Sequence, residues 1–263
     1  MKLRKAEGKH YVWVFTNLEE VVFMYKPTRE GGFLQTLLAG FGEVLVSDFY
    51  AVYDSLPCPQ QKCLIHLIRD MNQDLLDNAY DEELRSVTQP FGALLRAIVE
   101  TIDQQGLKCR YLMRHQRDVD RYFRSLSAKS FASEAAESLR CRLLKYQDKI
   151  FTFLVHDGVP WNNDNAENAI KRFAYYRADT VGLITEPTLN DYLVMLSLYQ
   201  TCRYKGVSFL RFLLSREQDV DAFCRHRRRR HRPSPIETYP DGFTPSHRIS
   251  RPKMATESNA TSD

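Results

Sequence analysis

No stretch of this 263-residue sequence approaches the roughly 18 consecutive apolar residues that a membrane-spanning helix requires, so no transmembrane segment is expected. The opening residues, MKLRKAEGKHYVWVF, are basic but hold no apolar segment closed by a small-residue cleavage site, and no secretory signal is expected. No repeat of 20–50 residues recurs along the chain. A general excess of one charge is also missing. The net charge of +4 is concentrated after residue 224, where nine Lys/Arg face four Asp/Glu, while the preceding 224 residues carry 28 basic against 29 acidic side chains. A whole-protein electrostatic argument for nucleic-acid binding therefore fails, and only a local one is available.

Hydrophobic residues make up 43% and charged residues 27%, the balance of an ordinary globular chain able to bury a sizeable core. Six cysteines stand at 58, 63, 109, 141, 202 and 224. In a chain of this length without a secretion signal they are expected to be reduced thiols in a cytoplasmic setting. Cys63 and His66 have CxxH spacing, with Cys58 nearby, but no second ligand pair follows at finger-like spacing. They are read as buried thiols and a core histidine on a helix rather than as a zinc site.

Residues 10–16, HYVWVFT, and 20–26, EVVFMYK, are rich in β-branched and aromatic residues around a short polar link, which predicts a β-hairpin. A short helix is expected over 30–39, with Phe33, Leu34, Leu37 and Leu38 on one stripe. A strand over 43–47 is expected to pair with the hairpin and begin an α/β sheet, with Asp48 at its end. From about 60 to 156 strand signals nearly vanish. Helices are expected from Gln60, from Asp81 to Gln105 with a break at Pro90, over 115–125, and from Ser130 or Ser133 to about His156. Asp157-Gly158 and Pro160 end this block. A helix follows WNNDNAEN, a long apolar helix starts near Thr188, and VSFLRFLLSREQDVDAFC forms a last one. After Cys224 comes RHRRRRHR and a segment rich in Pro, Ser and Thr, which is read as a disordered tail. Four parts result: 1–57, the first part of the core; 58–158, a helical insertion; 159–224, core completion with C-terminal helices; and 225–263, the basic tail.

Two carboxylates stand where chemistry could be placed. Asp48 follows a strand, where ligand sites of open α/β sheets lie, although an Asp there also caps the helical turn FYAVYD. Glu167 shares a face with Ile170, Lys171 and Ala174, yet Asp164-x-x-Glu167 also fits an N-terminal capping box. Periodicity alone favours the capping roles. Lys171, Arg172 and Arg177 are either a solvated face or phosphate contacts.

The runs VLVSDFYAVYD, CLIHLIRD, GVPWNNDNAENAIKRF and LSLYQTCRYKGVSFLRFLL, in this order with helices between, resemble bacterial insertion-sequence transposases of the DDE type, and most closely the insertion-sequence sixty-six family, over about residues 8–224. The resemblance implies an α/β, RNase H-like core with a large helical insertion, and DNA transposition by two-metal phosphoryl transfer with Mg²⁺ or Mn²⁺. It implies that Asp48 and Glu167 are the second Asp and the Glu of the catalytic, metal-holding triad. His66, Arg69, Asn163 and Asp164 would support them, and Lys171, Arg172, Arg177 and Arg227, Arg228, Arg229 and Arg230 would contact DNA. The implied partners are transposon-end DNA and a second copy or a full-length transposase, in a bacterial cytoplasm and at the nucleoid when DNA-bound. No membrane partner is implied. The sequence departs from the pattern in one respect that matters. The family's first Asp precedes the hairpin, and here no Asp occurs before Asp48. The expectation is therefore a core lacking its first catalytic strand, hence a truncated chain inactive on its own. The alternatives are a non-catalytic DNA- or transposase-binding remnant and an unrelated metal-dependent nuclease.

Overall fold

A computed structural model describes residues 2–5, 8–179 and 185–230, with side chains placed for 11–179 and 185–225. The architecture is mixed α/β and mostly helical, with two small sheets. The first sheet is antiparallel in the order β1 (Lys2–Lys5), β2 (Gly8–Thr16), β3 (Val21–Lys26). The expected hairpin is β2–β3, in register from Tyr11↔Lys26 to Thr16↔Val21. Its turn is closed by Asn17, whose Oδ1 accepts the amides of Glu19 and Glu20 at 2.7 and 2.6 Å. Strand β1, with Lys2 opposite Tyr11, was not expected, because KLRK carries none of the β-branched or aromatic residues that mark a strand.

Alternation along β2 and β3 sends side chains to opposite faces. Val12, Val21, Phe23 and Tyr25 face α8 (Asp164–Asp179) and α9 (Glu186–Tyr204), where Ala169, Phe173, Leu189, Leu193 and Leu196 complete a buried cluster. Trp13 lies on the other face, under Leu34 of α1 (Gly32–Leu37) and Leu56, with Tyr11, Phe15 and Met24 beside it. Val52, in the 3₁₀ turn Ala51–Ser55, comes so close that a Cβ on Gly31 would lie 1.8 Å from its Cγ1. Helix α9 seals the outer edge of β3: Thr201 Oγ1 accepts the Val21 amide at 3.1 Å and Ser197 Oγ the Phe23 amide at 2.9 Å.

The strand β4 (Leu45–Ser47) does not join the hairpin. It pairs in parallel with β5 (Gln60–Lys62), a segment expected to start a helix. The polar run QQK is held as a strand by bonds its composition does not advertise. Buried Gln61 donates to the Ile150 carbonyl at 2.7 Å and accepts the Phe153 amide at 3.0 Å. Buried Lys62 pairs with Asp54 at 3.0 Å. The helix therefore begins only after Cys63, as α2 (Leu64–Asp77).

Helices α2, α3 (Glu82–Gln105), α4 (Cys109–Leu112), α5 (Gln116–Ser127), α6 (Glu134–Lys145) and α7 (Gln147–Ile150) surround one core that includes Leu67, Phe91, Ile98, Leu143 and Phe153. The expected break at Pro90 is absent, and α3 runs through it to Gly106 at φ 72°. Pro90 and Ser86, whose carbonyl loses its helical partner, both face solvent, while Phe91, Leu95 and Ile98 hold the opposite side in the core. The single helix expected to reach His156 is instead α6, α7 and a 3₁₀ turn at Thr152–Leu154. The last expected helix is likewise two, α10 (Phe209–Ser215) and α11 (Val220–Arg230), parted at Arg216 in the left-handed region. The expected disordered tail begins within helix, since α11 extends through Arg230; residues 231–263 lie outside the described residues.

Candidate functional site

A cleft of about 480 Å³ separates the two sheets. It is lined by every residue from Tyr11 to Asn17, every residue from Leu45 to Asp48, and Asn163, Ala166, Glu167 and Ile170 from the start of α8. A strand face lines a pocket with alternate residues, whereas an edge lines it with consecutive ones. The cleft is therefore bounded by the edges of β2 and β4. Pairing with β1 stops at Tyr11, so along Trp13–Thr16 no described strand covers that side of β2.

Asp48 enters the cleft directly after β4. Its Oδ1 accepts the Tyr50 amide at 3.0 Å in an Asx turn just ahead of the 3₁₀ turn, whose N-cap is Tyr50 and has no side-chain cap, so the capping role read from the sequence is not formed. Only one carboxylate oxygen is used in this way, and Oδ2 has no hydrogen-bond partner among the described residues. Lys62 Nζ lies 3.3 Å from the Asp48 carbonyl and 3.4 Å from Ser47 Oγ, which fixes the end of β4 from below.

The capping box at Glu167 does not form. The Glu167 amide bonds to the Asn163 carbonyl at 3.1 Å, Asp164 is exposed, and the Asp164 amide is taken by Asn162 Oδ1 at 3.2 Å. Freed from the backbone, the Glu167 carboxylate turns to α2, with Oε1 3.6 Å from His66 Nε2. Asn165 anchors this first turn of α8, donating to the Asn17 carbonyl at 2.6 Å and accepting from the Tyr204 hydroxyl at 2.6 Å.

His66 is thus not a satisfied core histidine. Its Nδ1, Glu167 Oε1 and Asn163 Oδ1 are buried atoms without a hydrogen-bond partner among the described residues. Cys63 sits beside them at the head of α2, and Cys63, His66 and Glu167 each offer a ligand atom within 4.8 Å of the others. The Cys63 thiol is pushed up by burial, while the amides of His66, Asn163 and Ile65, directed at its sulfur, act in the opposite sense. Cys58 belongs to the separate cluster around Trp13. The CxxH pair therefore finds its third member on α8, which a search for a second Cys/His pair could not reveal.

The remaining candidates are dispersed. Arg69 is exposed and makes no ion pair among the described residues, while its neighbour Asp70 binds Arg142 of α6 at 2.8 Å. Lys171, Arg172 and Arg177 are exposed on α8, and none lines the cleft. The backbone of Arg227–Arg230 lies in α11, and their side chains fall outside the described ones. The cleft's own cation, Arg29, escaped the sequence reading. It follows β3 and lays its guanidinium 3.9 Å from the Tyr50 ring centroid. Glu20 also lines the cleft, but its carboxylate lies 3.6 Å from Lys205.

Asp48, Glu167 and Asn163 line the cleft and carry oxygen donors of the kind that suit a hard divalent cation. No helix among the described residues is long and apolar enough to cross a membrane. The family described as "Transposase IS66 family" matches residues 1–186. No curated protein and no solved structure matches the chain.

Proposed function

The chain belongs to the IS66 family of transposases, and from this we propose that it serves DNA transposition by metal-dependent phosphoryl transfer in the cleft between β2 and β4, with Asp48 and Glu167 as the metal-holding carboxylates. The family implies DNA binding and a general dependence on divalent metal. One observation carries the assignment: Asp48 and Glu167, separated in sequence by the whole helical block, line one cleft, and each has an oxygen left over from local hydrogen bonding. We read the two sheets with α8 and α9 as an RNase H-like core.

Asp48, Glu167 and the Asn163 amide oxygen would hold Mg²⁺ or Mn²⁺. Bound there, such an ion activates an attacking hydroxyl and stabilises a leaving oxygen. His66, 3.6 Å from Glu167 Oε1, positions that carboxylate, and Arg29, which lines the cleft, is placed to meet a phosphate. Among the described residues that line the cleft, a second cation finds no further free carboxylate, because Glu20 faces Lys205. The chain by itself is therefore expected to bind one divalent ion and to carry out no strand transfer, since misplacement by about 1 Å already costs on the order of a hundredfold in rate.

Mn²⁺ titration followed by electron paramagnetic resonance tests the assignment, alongside an end-cleavage assay. The expected result is one Mn²⁺ site, lost in Asp48→Asn and in Glu167→Gln, with no cleaved or joined DNA. Binding untouched by both substitutions would overturn the site. Robust cleavage abolished by Asp48→Ala would show that another carboxylate completes it.

A further inference from the structure

We propose that Cys63, His66 and Glu167 form a second metal site, selective for a soft or borderline divalent ion such as Zn²⁺ or Co²⁺, and that filling it withdraws Glu167 from its partnership with Asp48. The site itself stands on geometry alone. Its effect on the carboxylate pair rests on the function proposed above.

Two helix starts, of α2 and α8, converge to build it. β5 ends at Lys62, so Cys63 occupies the head of α2, and His66 follows on the first turn. The Cys63 amide bonds to the Ser47 carbonyl at 2.7 Å and the Leu64 amide to the Trp161 carbonyl at 2.9 Å, which ties this turn both to β4 and to the loop before α8. The first turn of α8 then delivers Glu167. The three ligand atoms lie within 4.8 Å of one another.

A second observation points to a missing ligand. Three buried side-chain polar atoms without a hydrogen-bond partner among the described residues cluster here: His66 Nδ1, Asn163 Oδ1 and Glu167 Oε1. Buried polar atoms are almost always hydrogen-bonded, so a local concentration of orphans marks a place built around something else. A cation bound between Glu167 Oε1 and His66 Nε2, 3.6 Å apart, would satisfy the carboxylate.

The donor set decides which cation. A thiolate and an imidazole favour Zn²⁺ or Co²⁺, whereas Mg²⁺ takes oxygen and avoids thiolate. Binding removes the proton of the Cys63 thiol, which leaves to solvent. Three protein ligands leave one tetrahedral position for water on the cleft side, where His66 and Glu167 are 30% and 33% exposed. Glu167 is thus a shared carboxylate between a hard site with Asp48 and a softer one with Cys63. Occupation of the second weakens the first.

Co²⁺ titration of the full chain, without DNA or Mg²⁺, tests this. The expected result is one equivalent bound, with a thiolate-to-Co²⁺ charge-transfer band in the near ultraviolet and tetrahedral d–d bands in the visible. Cys63→Ser should abolish the charge-transfer band, and Cys58→Ser should leave it intact. His66→Gln and Glu167→Gln, at partly exposed positions that tolerate change, should each weaken binding by at least about tenfold, and they carry the test if Cys63→Ser does not fold. Zn²⁺ should displace Mn²⁺ from the wild-type chain. Absence of the thiolate band, or its persistence in Cys63→Ser, would overturn the proposal. A thiolate band without any Mn²⁺ site would sink the transposition reading alone, and the converse would sink this one alone.

Discussion

Lys62 offers the sharpest test of how the cleft is held. Its side chain is 0% exposed at the end of β5, with Nζ 3.0 Å from Asp54 Oδ1 and the rings of Tyr53 and Tyr146 at 5.7 and 5.6 Å. Asp54 is 22% exposed and keeps other partners: the Tyr146 hydroxyl at 2.9 Å, Lys145 at 3.5 Å and Lys149 at 3.9 Å. The pair is therefore asymmetric. Asp54→Asn leaves a fully buried ammonium whose paired carboxylate is replaced by a neutral amide, with the Ser47 hydroxyl, the Asp48 carbonyl and two rings as its other neighbours, and is expected to cost about 3–5 kcal/mol. Lys62→Met keeps the volume, removes the buried charge and leaves Asp54 with two lysines and a tyrosine, so its cost should stay below about 1.5 kcal/mol. The double substitution should recover most of the loss caused by Asp54→Asn.

Urea unfolding of the three variants checks the order. Lys62→Met costing as much as Asp54→Asn would refute the reasoning. The pH dependence supplies a second check. Burial raises the Asp54 carboxyl, but hydrogen bonds from Lys62 and Tyr146 and the charges of Lys62 and Lys149 outweigh it and hold the group below its usual range. A carboxyl depressed in the folded state contributes stability that is fully present above its unfolded value, about 3.9, and is lost as pH falls through the folded value. Wild-type stability should therefore drop below about pH 4 more steeply than that of Asp54→Asn. Because Lys62 also fixes the end of β4, Lys62→Met should weaken Mn²⁺ binding while leaving global stability nearly unchanged.

Phe173→Ala, at a fully buried position between β2–β3 and α9, should cost about 3–5 kcal/mol in denaturant unfolding. Ser133→Ala removes the cap on the Ala136 amide and the bond to Asp81, which itself caps α3, so a loss of about 1–2 kcal/mol is expected. Replacing Arg225, Arg227–Arg230 and Arg232 with Gln should flatten the slope of log DNA affinity against log salt by about 5, at roughly 0.9 per neutralised phosphate, as measured by anisotropy. An unchanged slope would move the DNA contacts to Arg29 and to the exposed cations of α8.

The parts of the fold legible in the sequence are those whose own composition stabilises them. The β2–β3 hairpin has β-branched and aromatic residues on both faces because helices cover one and α1 the other. Ser133 and Gly106 mark helix ends with side-chain and backbone chemistry visible in any window of a few residues. What could not be read depends on distant partners. QQK becomes a strand because Gln61 bonds to a carbonyl and an amide of the segment around Ile150–Phe153. Pro90 stays inside a helix because its face is exposed while the opposite face is locked in the core. The separation of β4 from the hairpin follows from the same cause: β4 finds its partner in a strand with no strand signature.

The site was half legible for a related reason. Asp48 and Glu167 were identifiable as residues, but local spacing assigned both to capping, and neither caps a helix. Asp48 closes an Asx turn ahead of the 3₁₀ turn, with one oxygen. Glu167 does not cap α8, because Asn163 and Asn162 supply the carbonyl and amide oxygen that satisfy the first amides of α8. A run of asparagines ahead of a helix thus relieves an acidic residue of its usual local duty. An acid so released, and held 3.6 Å from a histidine on another helix, is available for chemistry in a way that no periodicity could distinguish from a capping box. The readable signal was the redundancy itself: WNNDN offers four side chains able to serve one helix start, more than the backbone can use.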